Sequence, residues 1–146
     1  MLLMLKNIPT ILSPELLKIL HEMGHGDEIV IADGNFPAAS LAHRLVRCDG
    51  HQASALLEAI LALLPLDTYV DKPVTLMQVV DQRQETAPEI WETYQSILKK
   101  HQVSSTQIGY EERFKFYEKA KNAYAIIATS EKALYGNMIL KKGVIP

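Results

Sequence analysis

The 146-residue chain has a single cysteine, Cys48. One cysteine excludes an intrachain disulfide and a thiolate metal cluster, and it points to a reducing compartment. Positive charge is not in surplus either: 15 Lys and Arg against 17 Asp and Glu leave a formal net charge of -2. With no basic run in the chain, electrostatics make no case for nucleic acid as a partner. Long hydrophobic runs are missing as well. Met1-Leu2-Leu3-Met4-Leu5 is apolar, but it is much too short for a signal peptide or membrane span. Pro9 interrupts it and no small-residue cleavage site follows. The expected setting is cytoplasmic, with no membrane partner.

Familiar chemical signatures are absent too. The chain contains no GxGxxG, no Walker loop and no GxSxG nucleophile elbow. Its five histidines are scattered. Only His21 and His25 stand at helical i, i+4 spacing, and Gly24 breaks a helix between them. Two ligands also fall short of the usual three or four, so no metal is expected. Cys48 has no convincing base near it in sequence and reads as a buried structural thiol. A nucleophilic hydrolase is not expected.

What is present describes one domain over residues 1–146, large enough to bury a core. An apolar fraction of 48% and a charged fraction of 22% are ordinary for a globular protein. Ser13-Pro14 predicts a helix start and Gly24 its stop, with Leu16, Leu17, Leu20 and Met23 at helical spacing. Glu28–Ala32 reads as a buried strand, Phe36–Ala42 as a short helix or structured loop, and Arg44–Arg47 as a second strand. Ala53–Leu64 is a strongly apolar helix. Val74–Val80 is the best candidate for a central strand. Helices are expected over Pro88–Lys100 and Glu111–Asn122, and strands over Gln107–Tyr110, Ala123–Thr129 and Met138–Leu140. Such alternation predicts an α/β fold, a largely parallel mixed sheet with helices on both faces. The last two strands are joined by few residues and are expected to pair antiparallel.

The most suggestive stretch runs from Met23 to Pro37. His25 stands between Gly24 and Gly26, a strand follows, and Asp33 ends it. Polar residues beyond a strand's carboxyl end are where ligands bind in parallel sheets. His25 and Asp33, close in sequence, are therefore expected to share a pocket. Arg113, Tyr135 and Asn137 are further polar groups at element boundaries. Each also has a plain structural reading. His25 can cap helix carbonyls, Asp33-Gly34 can be a simple turn, and Tyr135-Gly136-Asn137 can be a hairpin turn. Arg113 can be a solvated residue, although a cation in a helix's first turn opposes the dipole.

Several stretches together resemble the family of D-ribose pyranases and L-fucose mutarotases. They include Ser13-Pro14-Glu15-Leu16-Leu17, Met23-Gly24-His25-Gly26-Asp27-Glu28, Asn35-Phe36-Pro37-Ala38 and Leu64-Pro65-Leu66-Asp67-Thr68-Tyr69. The match continues through Glu112-Arg113-Phe114, Phe116-Tyr117-Glu118, Ala133-Leu134-Tyr135-Gly136-Asn137 and Leu140-Lys141-Lys142-Gly143. Eight matches in register cover essentially the whole chain.

The resemblance implies a cofactor-independent isomerase acting on a free monosaccharide, L-fucose or a related aldose. It makes His25 the proton donor, with Tyr135 a second candidate for proton transfer. Asp33, Arg113 and the Tyr135-Gly136-Asn137 segment would bind the sugar. Arg113 stands where the ribose branch typically has histidine, which points to the fucose branch. Position 35 is Asn35, where some fucose-branch members have histidine. The resemblance further implies a cyclic homo-oligomer, typically a decamer, with sites near subunit contacts, and Tyr135-Gly136-Asn137 could complete a neighbour's pocket. Tyr110, Phe114 and Phe116 are the expected interface anchors. Two alternatives stand beside this reading: a ribose pyranase-type ring isomerase, and a non-catalytic monosaccharide-binding module.

Overall fold

A computed structural model describes residues 3–80 and 87–146. Its first helix, α1 (Pro14–Glu22), starts as serine and proline predict. Ser13 Oγ accepts the Leu16 amide at 3.1 Å, and Pro14 occupies the first turn, where no helical hydrogen bond is lost. The elements that follow are β1 (Glu28–Ala32), α2 (Ala38–Leu41), β2 (Leu45–Cys48), α3 (Ala53–Leu61) and β3 (Val74–Met77). The chain then forms α4 (Glu89–Lys100), β4 (Ile108–Glu111), α5 (Arg113–Asn122), β5 (Ala125–Thr129) and β6 (Met138–Lys141). A 3-10 turn over Ser105–Gln107 was not expected; Ser104 and Gln107 nucleate it by capping each other's backbone amides.

The six strands form one sheet in the order β2-β5-β1-β6-β3-β4. β1 and β2 each run parallel to β5, and β3 parallel to β4; β6 is antiparallel to both neighbours, β1 and β3. This is the mixed, largely parallel sheet expected from sequence, but two placements differ. β5 and β6 do not pair, because β1 lies between them. Their connection passes over the end of β1 and is tied there by the Gly34 amide, which donates to the Glu131 carbonyl at 2.8 Å. Nor is the Val74–Val80 run central. The strand ends at Met77 and lies second from the edge. All four of its residues are buried, because helices cover both faces there. Two-sided cover makes a strand apolar whatever its rank in the sheet.

Period-two alternation along the strands separates two cores. Ile29, Ile31, Ala125, Ile127, Met138 and Leu140 face α1, α3 and α4. Val30, Ala32, Ile126, Ala128 and Ile139 face α2 and α5, meeting Ala38, Phe116 and Ala120. Phe116, expected as an interface anchor, is fully buried in this second core, whereas Tyr110 is 46% and Phe114 66% exposed. The reason is helical phase: two positions after Phe114, the α5 backbone turns Phe116 inward.

Candidate functional site

The register places the carboxyl ends of β1, β3 and β4 at one end of the sheet, together with the amino end of antiparallel β6. Residues just beyond those ends line a cavity of about 280 Å³, near the small end of ligand pockets. Asp33 follows β1, Arg113 follows β4, and Tyr135 and Asn137 precede β6; all four line this cavity within one chain. Gly136 lies between the last two. Asn35, noted in the sequence only as a departure from some fucose-branch members, and Tyr117, which sequence reasoning did not single out, add polar groups, while Phe36, Met77, Val80 and Leu134 supply an apolar wall. A polar cluster beside an apolar wall can hold a small polyol, hydrogen-bonding its hydroxyls and covering its C–H face.

Asp33 is buried, with 6% exposure. Its own amide donates to Asn137 Oδ1 at 2.7 Å, and the Asn35 amide donates to Asp33 Oδ1 at 3.0 Å. Burial pushes the carboxyl above its ordinary range, while the amides of Asn35, Gly136 and Phe36 and the Asn137 side chain pull it back down. Arg113 opens α5 behind Glu112, whose carboxylate caps the Phe114 and Lys115 amides and offsets the misplaced cation. Its Nε donates to Tyr117 Oη at 3.2 Å, and its guanidinium carbon lies 5.4 Å from the Tyr117 ring centroid. That leaves terminal nitrogens of a rigid donor fork for a ligand.

Tyr135 adopts a left-handed backbone, φ 60°, unusual for a residue with a side chain. Two aromatic donors on α4 hold the turn in place. Trp91 Nε1 donates to the Tyr135 carbonyl at 3.0 Å, and Tyr94 Oη donates to the Gly136 carbonyl at 2.6 Å. Gly136 fits closely: a Cβ there would stand 3.2 Å from the Ala133 carbonyl oxygen and 3.3 Å from Glu131 Cγ, so these neighbours would have to give by a few tenths of an ångström. The Tyr135 hydroxyl accepts the Val80 amide at 3.2 Å, so its oxygen is at the cavity rim.

His25 is elsewhere. It precedes β1 whereas Asp33 follows it, and the five residues of β1, roughly 17 Å of extended chain, separate them. The shared pocket expected from their closeness in sequence does not exist within one chain, because an extended strand sends its flanking residues to opposite ends. At its own end His25 has a partner that sequence reasoning missed. Its Nε2 lies 3.0 Å from Asp67 Oδ1, and its ring centroid is 5.2 Å from that of Tyr69. Both partners belong to the Leu64–Tyr69 stretch quoted above, but nothing in its local pattern linked it to His25. Cys48 is buried, and burial pushes its thiol pKa up, with Glu15 and Asp49 adding to the effect; this suits an inert structural thiol. Among the described residues, no helix is long and apolar enough to cross a membrane.

Comparison with known proteins adds to this geometry. A family model described as the RbsD / FucU transport protein family matches residues 6–145. The chain is 51% identical to the fucose mutarotase of Mus musculus over 146 residues, covering 97% of this chain and 95% of the mouse protein. The crystal structure of the Streptococcus pneumoniae fucose mutarotase in complex with L-fucose superposes with a TM-score of 0.93 at 52% identity, covering 97% of this chain and 100% of that one. FucU from Bifidobacterium longum superposes with a TM-score of 0.92 at 54% identity, over 97% and 100% of the two chains.

Proposed function

The chain belongs to the RbsD / FucU transport protein family, and from that premise we propose that it is an isomerase exchanging the α and β anomers of free L-fucose. The observation that carries this reading is the full-length likeness to a fucose mutarotase solved with L-fucose bound. Mutarotation moves one proton from the anomeric O1 to the ring oxygen. The electron pair left on O1 closes a carbonyl as the C1–O5 bond breaks, and rotation about C1–C2 followed by the reverse steps gives the other anomer. The sequence is redox-neutral, so acid–base groups suffice, typically worth about 10²- to 10⁴-fold.

His25 is the acid/base in this reading, since histidine gives and takes protons near neutrality. Asp33 accepts from sugar hydroxyls, and Arg113, Tyr135 and Asn137 complete the sugar's hydrogen bonds, with Gly136 keeping the turn tight. Tyr135 can pass its phenolic proton to the same oxygens. His25 then has to reach the cavity of another copy, because its own chain's cavity lies beyond β1. Exposed apolar side chains at both ends support such contacts: Tyr69 (75% exposed) near His25, and Phe114 (66%) and Leu134 (65%) at or beside the cavity rim. A homo-oligomer, a decamer in the form the family resemblance implies, would provide them. A cytoplasmic setting agrees with the unpaired, buried Cys48.

Exchange NMR on free aldoses tests the reaction. Wild-type protein accelerates exchange between fucose anomers, with ribose ring forms as the comparison. His25→Ala is expected to lose roughly 10²-fold or more of the acceleration. Undiminished exchange in that variant would remove His25 from the chemistry, and a preference for ribose would overturn the choice of sugar.

A further inference from the structure

The peptide unit joining Tyr135 to Gly136 stands between the sugar cavity and α4, and both of its ends are engaged. Its N–H, that of Gly136, is one of three amides that favour the ionised form of the buried Asp33. Its carbonyl oxygen accepts Trp91 Nε1 at 3.0 Å, and the next carbonyl, of Gly136, accepts Tyr94 Oη at 2.6 Å. Trp91 and Tyr94 stand at i, i+3 on α4, so one face of the helix supplies both donors. Both are buried. Burial, and then the charges of Glu131 and Asp33, push the Tyr94 phenol far above its ordinary range, so it keeps the proton it donates. The peptide needs such restraint. Tyr135 is held in the left-handed region, which a side chain disfavours, and the glycine after it accepts either sign of φ at little cost. A rotation of this one peptide unit would turn its N–H away from Asp33 and set its oxygen toward the carboxylate. The Trp91 hydrogen bond opposes that rotation. It also polarises the peptide, which strengthens what the N–H donates at the other end.

We propose that Tyr94 and Trp91 are positioning residues for sugar binding: from α4 they lock the peptide orientation in which the Gly136 N–H faces Asp33 and Tyr135 and Asn137 line the cavity. This rests on the sugar-binding role given to Asp33 above. Neither aromatic lines the cavity; their effect is on the carboxylate and the turn that do. Asn137 closes the arrangement, since its Oδ1 accepts the Asp33 amide at 2.7 Å. A shift of the turn therefore reaches Asp33 by two routes, through the Gly136 N–H and through the Asn137 side chain. His25 stands at the other end of β1, so the lock bears on how tightly the sugar is held and not on proton transfer. Its loss should appear in affinity and leave kcat nearly unchanged.

A tyrosine followed by glycine occurs once in the chain. Protein carrying carbonyl-carbon-13 tyrosine and nitrogen-15 glycine therefore gives one correlated NMR signal, from this peptide alone. In wild type the Gly136 amide proton should lie downfield, as a hydrogen bond to a carboxylate requires, and Asp33→Asn should move it upfield. Tyr94→Phe and Trp91→Phe each keep an aromatic ring and remove one donor. Both should move the same signal in the direction of Asp33→Asn and raise the Kd for L-fucose in calorimetry by about threefold to tenfold. The saturating rate in exchange NMR should stay within about twofold of wild type. Melting curves show whether each variant folds, and either one suffices if the other does not. A wild-type Gly136 signal and Kd in the folded variants overturns the proposal even if they melt lower, because the hydrogen bonds would then be merely structural. A Gly136 signal that Asp33→Asn leaves unmoved overturns it as well. Wild type that binds fucose without exchanging its anomers would remove the reaction and leave the positioning role standing; wild type that does not bind fucose would remove both.

Discussion

Asp33 disfavours the folded state at neutral pH in order to present a charge to the cavity. Burial outweighs the amides that favour its ionised form, so the folded carboxyl binds its proton more tightly than the unfolded one does. Such a group favours folding below the ordinary aspartate range, about 3.9, and that contribution is lost as pH rises through the raised folded value. Asp33→Asn is therefore expected to melt at a higher temperature than wild type at pH 7, with the difference shrinking below about pH 4. The same variant should lose about tenfold or more in activity, as a charge-assisted hydrogen bond is weakened. Thermal melts at the two pH values and exchange NMR check both halves; a melting difference independent of pH would contradict the burial argument. At this scale the sequence was informative wherever a residue was out of place locally. Arg113 at a helix start was such a case. Asp67 was not, because its partner His25 is 42 residues away and no local rule is broken at either position.

Among the elements, the connection between β5 and β6 does the most to shape the site. It carries Tyr135, Gly136 and Asn137, and a buried glutamate anchors it. Glu131 Oε1 accepts the Ala53 amide at the start of α3, Oε2 accepts the Ala133 amide, and its backbone carbonyl accepts the Gly34 amide. Its amide in turn donates to Thr129 Oγ1. The α3 helix has no side-chain cap of its own from Gln52, so Glu131 serves as that cap from across the chain, with its charge at the favourable helix end. Glu131→Ala is expected to cost about 1–3 kcal/mol of stability from the lost cap and the orphaned amides. It should also weaken fucose binding, because the turn beside Asn137 loosens. Denaturant titration and calorimetry measure the two effects, and an unchanged affinity would detach Glu131 from the site. Element types and approximate ranges were legible from caps, prolines and periodicity. The neighbour order was not. The short link between the last two strands suggested pairing, yet β1 lies between them, because hydrogen bonds to Gly34 and Asn137 bring the link across its end.

Across the molecule, the two halves of the proposed chemistry sit at opposite ends of one sheet: His25 with Asp67 at the amino end of β1, Asp33 with Arg113 and Asn137 at its carboxyl end. If active sites form between copies, two inactive variants should complement each other. His25→Ala and Arg113→Ala, each nearly inactive alone, should regain activity on co-assembly, to about a quarter of wild type for random mixing of equal amounts. Light scattering gives the assembly size alongside. Persistent inactivity of a mixture shown to have co-assembled would contradict the shared site, as would a monomer of full activity.

Composition, capping signals and period-two alternation in the amino-acid sequence were enough to establish an α/β domain with helices on both faces, and its motifs in register pointed to the family. These properties are local: each depends on a few neighbouring residues and on which faces of a strand or helix are covered. Strand order, the gathering of Asp33, Arg113, Tyr135 and Asn137 around one cavity, and the pairing of His25 with Asp67 depended on the folded chain. They arise from contacts between distant segments, and the same β1 that joins His25 to Asp33 in sequence holds them apart in space.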